Sequence, residues 1–155
     1  RGDFKYIIEI KNGGEEGKDA LDILYNTLIE RNILDRVIFG TFNGEISEYA
    51  SENYPDLIRS ASIKEVVEFY LAALLGRKGY EPPVKVLQVF YGKKYFKFGV
   101  NLATSRVINY AHSHNMAIQY WTINDEDEIR YLLSIGADGI MTDYVEKAFE
   151  IKKEF

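Results

Sequence analysis

Glu9 and Lys11 set an acid and a base two positions apart inside the run Phe4-Lys5-Tyr6-Ile7-Ile8-Glu9-Ile10-Lys11. A β-strand turns successive side chains to opposite faces, so Tyr6, Ile8 and Ile10 share one face while Ile7, Glu9 and Lys11 share the other. The pair also stands at the strand's carboxyl end, where parallel α/β architectures place their chemistry because the following loop opens toward substrate. The competing reading is a plain ion pair on a half-exposed strand. Other chemistries are bounded by what the chain lacks. It has no cysteine, hence no disulfide and no thiolate nucleophile, and only two histidines, His112 and His114. Neither G-x-G-x-x-G nor a P-loop follows any hydrophobic run, which argues against a dinucleotide or nucleoside-triphosphate fold.

The elements that must position this pair alternate in type. After a glycine-rich loop over Asn12 to Gly17, Leu21, Leu24, Tyr25, Leu28 and Ile29 recur at helical spacing between Asp19 and Arg31. Val37 to Phe42 reads as a buried strand, Asn43 as the cap of a helix with Ile46, Tyr49 and Ala50 inward, and Leu57 to Ser62 as a third strand. Ile63 to Leu75 reads as a helix burying Val66, Val67, Phe69, Tyr70 and Leu74, ended by Gly76. Pro82-Pro83 leads into a strand over Val84 to Val89, and Thr104 caps a helix running to His114 with Val107, Ile108 and Ala111 inward. Met116 to Ile123 is the next strand. Asp125 caps a helix whose first turn, Glu126, Asp127 and Glu128, faces the positive end of its dipole, with Ile129, Leu132 and Leu133 inward and Gly136 at its end. A short strand within Asp138 to Asp143 and a helix with Val145, Ala148 and Phe149 inward close the chain.

Strands alternating with helices of about 10–14 residues mean parallel βαβ units. Without a phosphate fingerprint, a (β/α) barrel is the better parallel architecture, yet a complete one takes about 250 residues, and 155 residues leave room for five or six strands. A partial barrel forming a single domain over residues 1–155 is the expectation. A formal net charge of -5 with no basic run argues against a nucleic-acid partner and for a small ligand. The interleaving of aromatics with Lys93, Lys94 and Lys97 between Phe90 and Phe98 is read as a loop over the barrel mouth rather than a base-stacking surface. Arg1-Gly2-Asp3 is read as the tail of a turn. No signal peptide opens the chain and no apolar run approaches the ~18–20 residues of a transmembrane helix; the compartment is left open.

From Ala111 the text Ala-His-Ser-His-Asn-Met-Ala-Ile-Gln-Tyr-Trp-Thr-Ile-Asn-Asp, followed by Ile-Gly-Ala-Asp-Gly-Ile-Met-Thr-Asp, resembles the C-terminal signature of the glycerophosphodiester phosphodiesterase family. Ile8-Glu9-Ile10-Lys11 resembles that family's mid-barrel strand, Val37 to Asn43 the next, and Leu87-Gln88-Val89 a later segment. The resemblance implies a TIM barrel that hydrolyses glycerophosphodiesters to an alcohol and glycerol phosphate with a divalent cation, calcium or magnesium. It implies Glu9 as a carboxylate ligand of the metal, Lys11 as a cation contacting the substrate phosphate, and Trp121 as the aromatic lining the pocket, with Gln88 and Phe42 as further wall residues. Those roles suit the residue types: a hard cation takes carboxylate oxygen and a phosphate oxygen takes an ammonium.

The family's first three strands carry a His-Arg-Gly motif, a Glu-x-Asp pair and a His-Asp motif, and nothing in this sequence matches them. His112 and His114 fall at the end of an outer helix, away from any such role. The expectation is therefore a partial barrel lacking the first three strands, inactive by itself, which forms a homo-oligomer or meets a complementing N-terminal half-barrel. On this expectation Ile7, Ile38, Ile118 and Ile140 need cover. The alternatives are a non-catalytic binding or assembly module on the same partial barrel, and a related phospholipid phosphodiesterase.

Overall fold

The structure is a computed structural model that describes residues 4–91 and 100–155. The expectations for Arg1 to Asp3 and for the loop from Gly92 to Phe98 fall outside the described residues. Strands and helices alternate except where α3 follows α2: β1 (Tyr6–Glu9), α1 (Gly14–Glu30), β2 (Val37–Gly40), α2 (Gly44–Asn53), α3 (Ile63–Leu75), β3 (Val86–Phe90), α4 (Ser105–Ser113), β4 (Ala117–Trp121), α5 (Glu126–Ser134), β5 (Gly139–Ile140) and α6 (Val145–Lys152). Every pairing between them is parallel. The chain divides into two compact units, one of residues 1–66 with 83–85 and one of residues 67–82 with 86–155.

In the first unit β1 pairs with β2, Tyr6 opposite Val37 through Glu9 opposite Gly40. Ile8, Ile10, Val37 and Phe39 pack with Leu21 and Leu28 of α1 and Ile46 and Ala50 of α2. The opposite face of the two strands carries Ile7, Glu9 and Ile38. Asn43 caps α2 as expected, its side chain accepting from the Glu45 and Ile46 amides. The expected loop over Asn12 to Gly17 is mostly helix, because α1 starts at Gly14 rather than Asp19. Gly17 serves close approach instead of flexibility: a Cβ there would lie 2.5 Å from the Asn12 carbonyl oxygen and 2.7 Å from Ile46 Cδ1. The expected third strand shrinks to a single bridge between Phe39 and Arg59, with the Phe39 amide donating to Ile58 and the Ser60 amide to Phe39. Arg59 makes a two-pronged ion pair with Glu65 at 2.8 and 2.7 Å, and Glu65 also accepts from the Ser62 amide. Ser62 and Glu65 thereby form a capping box that starts α3.

In the second unit β4 lies between β3 and β5. Leu87, Val89, Ile118 and Tyr120 occupy one face and are buried together with Ile108, Ile129 and Leu132. Ile118 therefore needs no further cover, contrary to expectation; strand alternation turns it toward its own helices. Thr104 and Asp125 cap α4 and α5 as expected. Several residues assigned to buried stripes lie outward: Ile29, Val67, Leu74, Val145 and Phe149 are all exposed. α3 is apolar over more of its circumference than one contact covers, so periodicity alone did not single out its packed side, whereas on α6 the stripe of Val145 and Phe149 is itself left exposed. α3 buries Phe69, Ala72 and Ala73 instead.

Candidate functional site

The five singled-out residues divide between the units: Glu9, Lys11 and Phe42 lie in the first, Gln88 and Trp121 in the second. In the first unit Lys11 Nζ lies 3.9 Å from Glu9 Oε2, with the Lys11 side chain 79% and the Glu9 side chain 37% exposed. An exposed pair at that separation contributes little to stability, so both charges are accessible to a ligand. Phe42 stands two residues beyond Gly40, the register partner of Glu9, and is 57% exposed. Beside this end of the strands Lys18 bridges the first turns of α1 and α2, 3.0 Å from Glu15 and 2.9 Å from Glu45. Hydrogen bonds from Lys18, to Glu45 first and then to Glu15, hold its ammonium well above the usual lysine range.

In the second unit Gln88 is paired with Gln119 and Phe90 with Trp121 in the parallel register, so all four side chains share one face of the sheet. Gln88 Nε2 donates to Gln119 Oε1 at 3.0 Å, and the rings of Phe90 and Trp121 meet edge to face with centroids 6.3 Å apart. The result is an amide ladder leading to an aromatic rim at the carboxyl ends of β3 and β4. The Trp121–Thr122 peptide is cis.

Sequence reasoning assigned no role to Asn124, Thr142 and Asp143, which form the polar network next to that rim. Asn124 Oδ1 accepts from Thr142 Oγ1 and from the Asp143 amide, both at 3.0 Å, while its Nδ2 donates to Asp143 Oδ2 at 2.8 Å. One amide thus ties the loop after β5 to the loop after β4. The available signal was position: polar residues directly after two strands of a parallel sheet. The histidines lie elsewhere. His112 Nε2 is 2.9 Å from Asp138 Oδ2, an oxygen that also accepts from the Ile118 amide at the opposite, amino end of β4. His114 Nδ1 sits 2.9 Å from the Tyr110 carbonyl oxygen.

Among the described residues no three His, Cys, Asp or Glu side chains are grouped so as to hold a metal ion. Glu9 offers one carboxylate with an ammonium beside it, whereas a hard cation takes six or more oxygens. The described residues therefore do not by themselves make a calcium or magnesium site.

Parallel α/β folds place their chemistry at strand carboxyl ends, where Glu9 and Lys11 stand in the first unit and Phe90 and Trp121 in the second. The sequence profile of the Glycerophosphoryl diester phosphodiesterase family matches residues 2–147, and the chain belongs to that family. It is 25% identical to a glycerophosphodiester phosphodiesterase of Bacillus altitudinis over 99% of this chain and 58% of that protein. Among solved structures, that of a glycerophosphodiester phosphodiesterase from Parabacteroides distasonis aligns with a TM-score of 0.71 at 18% identity, over 97% of this chain and 58% of the other. A phosphodiesterase of Oleispira antarctica, solved in complex with the product sn-glycerol-3-phosphate, aligns with a TM-score of 0.56 at 16% identity over 94% and 54%. The fold is thus a parallel α/β fold matching part of those structures, and the chain spans 58% of the length of the Bacillus relative.

Proposed function

We propose that this chain is the carboxyl-terminal portion of a barrel that hydrolyses glycerophosphodiesters to an alcohol and glycerol phosphate, lacking the first three strands. The observation that carries the reading is family membership over residues 2–147 joined to the placement of Glu9 and Lys11 side by side at the carboxyl end of β1. In this reading the Lys11 ammonium offsets negative charge developing on the substrate phosphate, and Phe42 in the first unit and Gln88 and Trp121 in the second are substrate-binding residues. Glu9 is one of several oxygen ligands for calcium or magnesium, the others coming from outside the described residues.

The partner follows from the same reading. Among the described residues β5 pairs with β4 alone, and an unpaired strand edge is a template for another strand. Beside it α5, β5 and α6 frame a cavity of about 450 Å³ lined by Ile129, Leu133, Ile140, Met141, Val145 and Phe149. A complementing N-terminal half-barrel is the occupant we assign to this edge. The second reading, a non-catalytic assembly module on the same partial barrel, is favoured by the ammonium that already stands beside the Glu9 carboxylate.

The test is release of glycerol phosphate from glycerophosphocholine with calcium or magnesium, by the chain alone and with the family's first three strands added in trans. The chain alone is expected to be slow, since loss of a general acid or base removes about 10²–10⁴ in rate. Addition in trans should raise the rate, and Glu9→Ala should abolish the gain. Robust turnover by the isolated chain, insensitive to Glu9→Ala, would sink the hydrolase reading as assigned. No gain in trans despite complex formation would leave the assembly module.

A further inference from the structure

From Val67 onward, where α3 belongs to the second unit, the helix has a second apolar face left in water. Helical residues advance about 100° each, so Val67, Leu71, Leu74 and Leu75 gather on the side roughly opposite the buried Phe69, Ala72 and Ala73. They are 52%, 52%, 44% and 81% exposed, and all four lie in the second unit. Spacing of i, i+4, i+7 and i+8 is what a helix presents to another helix rather than to solvent. The helix that displays them is firmly ended: Gly76 takes φ +61, its amide donating to Ala73 and that of Arg77 to Ala72.

We propose that this stripe is a self-association surface on which a second copy of the chain docks its own α3, antiparallel about a two-fold axis. A two-fold contact must be self-complementary. With the axis at Leu71, that residue meets its own counterpart while Val67 meets Leu75 of the second copy, a smaller side chain facing a larger one at both ends. Rows at i±4 from two such helices interdigitate at a crossing of about -50°. The four side chains leave on the order of 400 Å² in water per copy, the size at which an apolar patch marks an interaction site. Two copies together offer about 800 Å², the size of a weak, concentration-dependent contact. Charge favours a protein over a bilayer: α3 holds one Lys against two Glu, where a membrane-lying helix needs a basic polar face.

This inference is independent of the hydrolase reading, and its test does not use activity. Sedimentation velocity over a concentration series should show a monomer–dimer equilibrium that Leu71→Glu weakens by about 30-fold or more. Leu75→Glu, at an almost fully exposed position, should do the same, and Phe149→Glu on the other apolar patch should leave the dimer unchanged, with circular dichroism confirming each fold. Because the native chain has no cysteine, Leu71→Cys should yield a single crosslinked dimer with a short bismaleimide. A monomer at every concentration overturns the proposal. So does a dimer lost with Phe149→Glu but not with Leu71→Glu, or a monomer that binds phosphatidylcholine–phosphatidylglycerol vesicles through Leu71.

Discussion

The two units solve the same packing problem with different means. The first has two paired strands and keeps α1 and α2 together largely with polar and aromatic contacts above a small apolar cluster. Tyr49 and Tyr54 both donate to Asp22, Tyr25 donates to Asp56, and the rings of Tyr25 and Tyr54 stack with centroids 4.1 Å apart. The Asp22 carboxylate, by accepting a hydrogen bond from its hydroxyl, pushes the Tyr54 phenol well above the usual tyrosine range. The second unit has three strands and a continuous apolar interior in which Ile108, Ile118, Tyr120, Ile129 and Leu132 are fully buried. Burial drives the Tyr120 phenol upward too, but its hydroxyl reaches only the Leu102 carbonyl. The difference teaches where chemistry can be carried: charges stand at the rim of the unit already held by polar contacts, and the aromatic wall stands on the one with the greater apolar interior.

The comparison breaks most visibly at Ile118. Replacing it with alanine removes fully buried methylenes and should cost about 3 kcal/mol in urea unfolding. Ile7→Ala, on the outward face of β1 and 45% exposed, should stay within about 0.5 kcal/mol. Trp121 is the chain's single tryptophan, so its emission follows the second unit while far-ultraviolet dichroism follows both. We expect the two transitions to coincide, as a single cooperative domain requires; separate midpoints would make the two units independent.

Next in size is Arg59→Ala, which strands the Glu65 carboxylate with its side chain only 14% exposed. The cost should be about 2–3 kcal/mol. Burial by itself would raise the pKa of Glu65, but hydrogen bonds from Arg59 and the Ser62 amide outweigh it and hold the carboxyl below its ordinary 4.5. The unfolded chain then binds the proton more readily than the folded one, so this contribution is complete above pH 4.5 and is lost as pH falls through the lower folded value. Stability measured from pH 6 downward should therefore slope less steeply in Arg59→Ala than in the native chain; an unchanged slope would remove Glu65 from the account.

Smallest is Asn124→Ala, expected to cost about 1 kcal/mol while shifting Trp121 emission, because the network it unties lies three residues from the indole. Loss of stability with no spectral change would make Asn124 a purely local tie.

Much of this was legible from local chemistry. Asn43, Thr104 and Asp125 could be read as caps because their partners are amides two or three residues away, and α3 was read to its observed ends. The start of α1 was misjudged because glycine there marks close packing against Ile46, a contact invisible to periodicity. The buried side of α3 escaped for a related reason: apolar residues surround that helix, and only tertiary contact selects among them. At the site, motif text picked out Glu9, Lys11, Gln88 and Trp121. Asn124 and Asp143 were inside the same text, but their bond spans 19 positions, and no local pattern announces it.

β5 is two residues long, yet it is fastened at both ends by side chains rather than by ladder length. Asp138 anchors the entry and Asn124 the exit. In hydrogen exchange, the Ile118 amide is held by a carboxylate rather than a carbonyl of the ladder, so its protection reports the Asp138 side chain rather than the sheet. An Asp138→Ala chain would then exchange that amide early while the Tyr120 interior beside it stays closed, making the edge of the sheet the place where native-state opening begins.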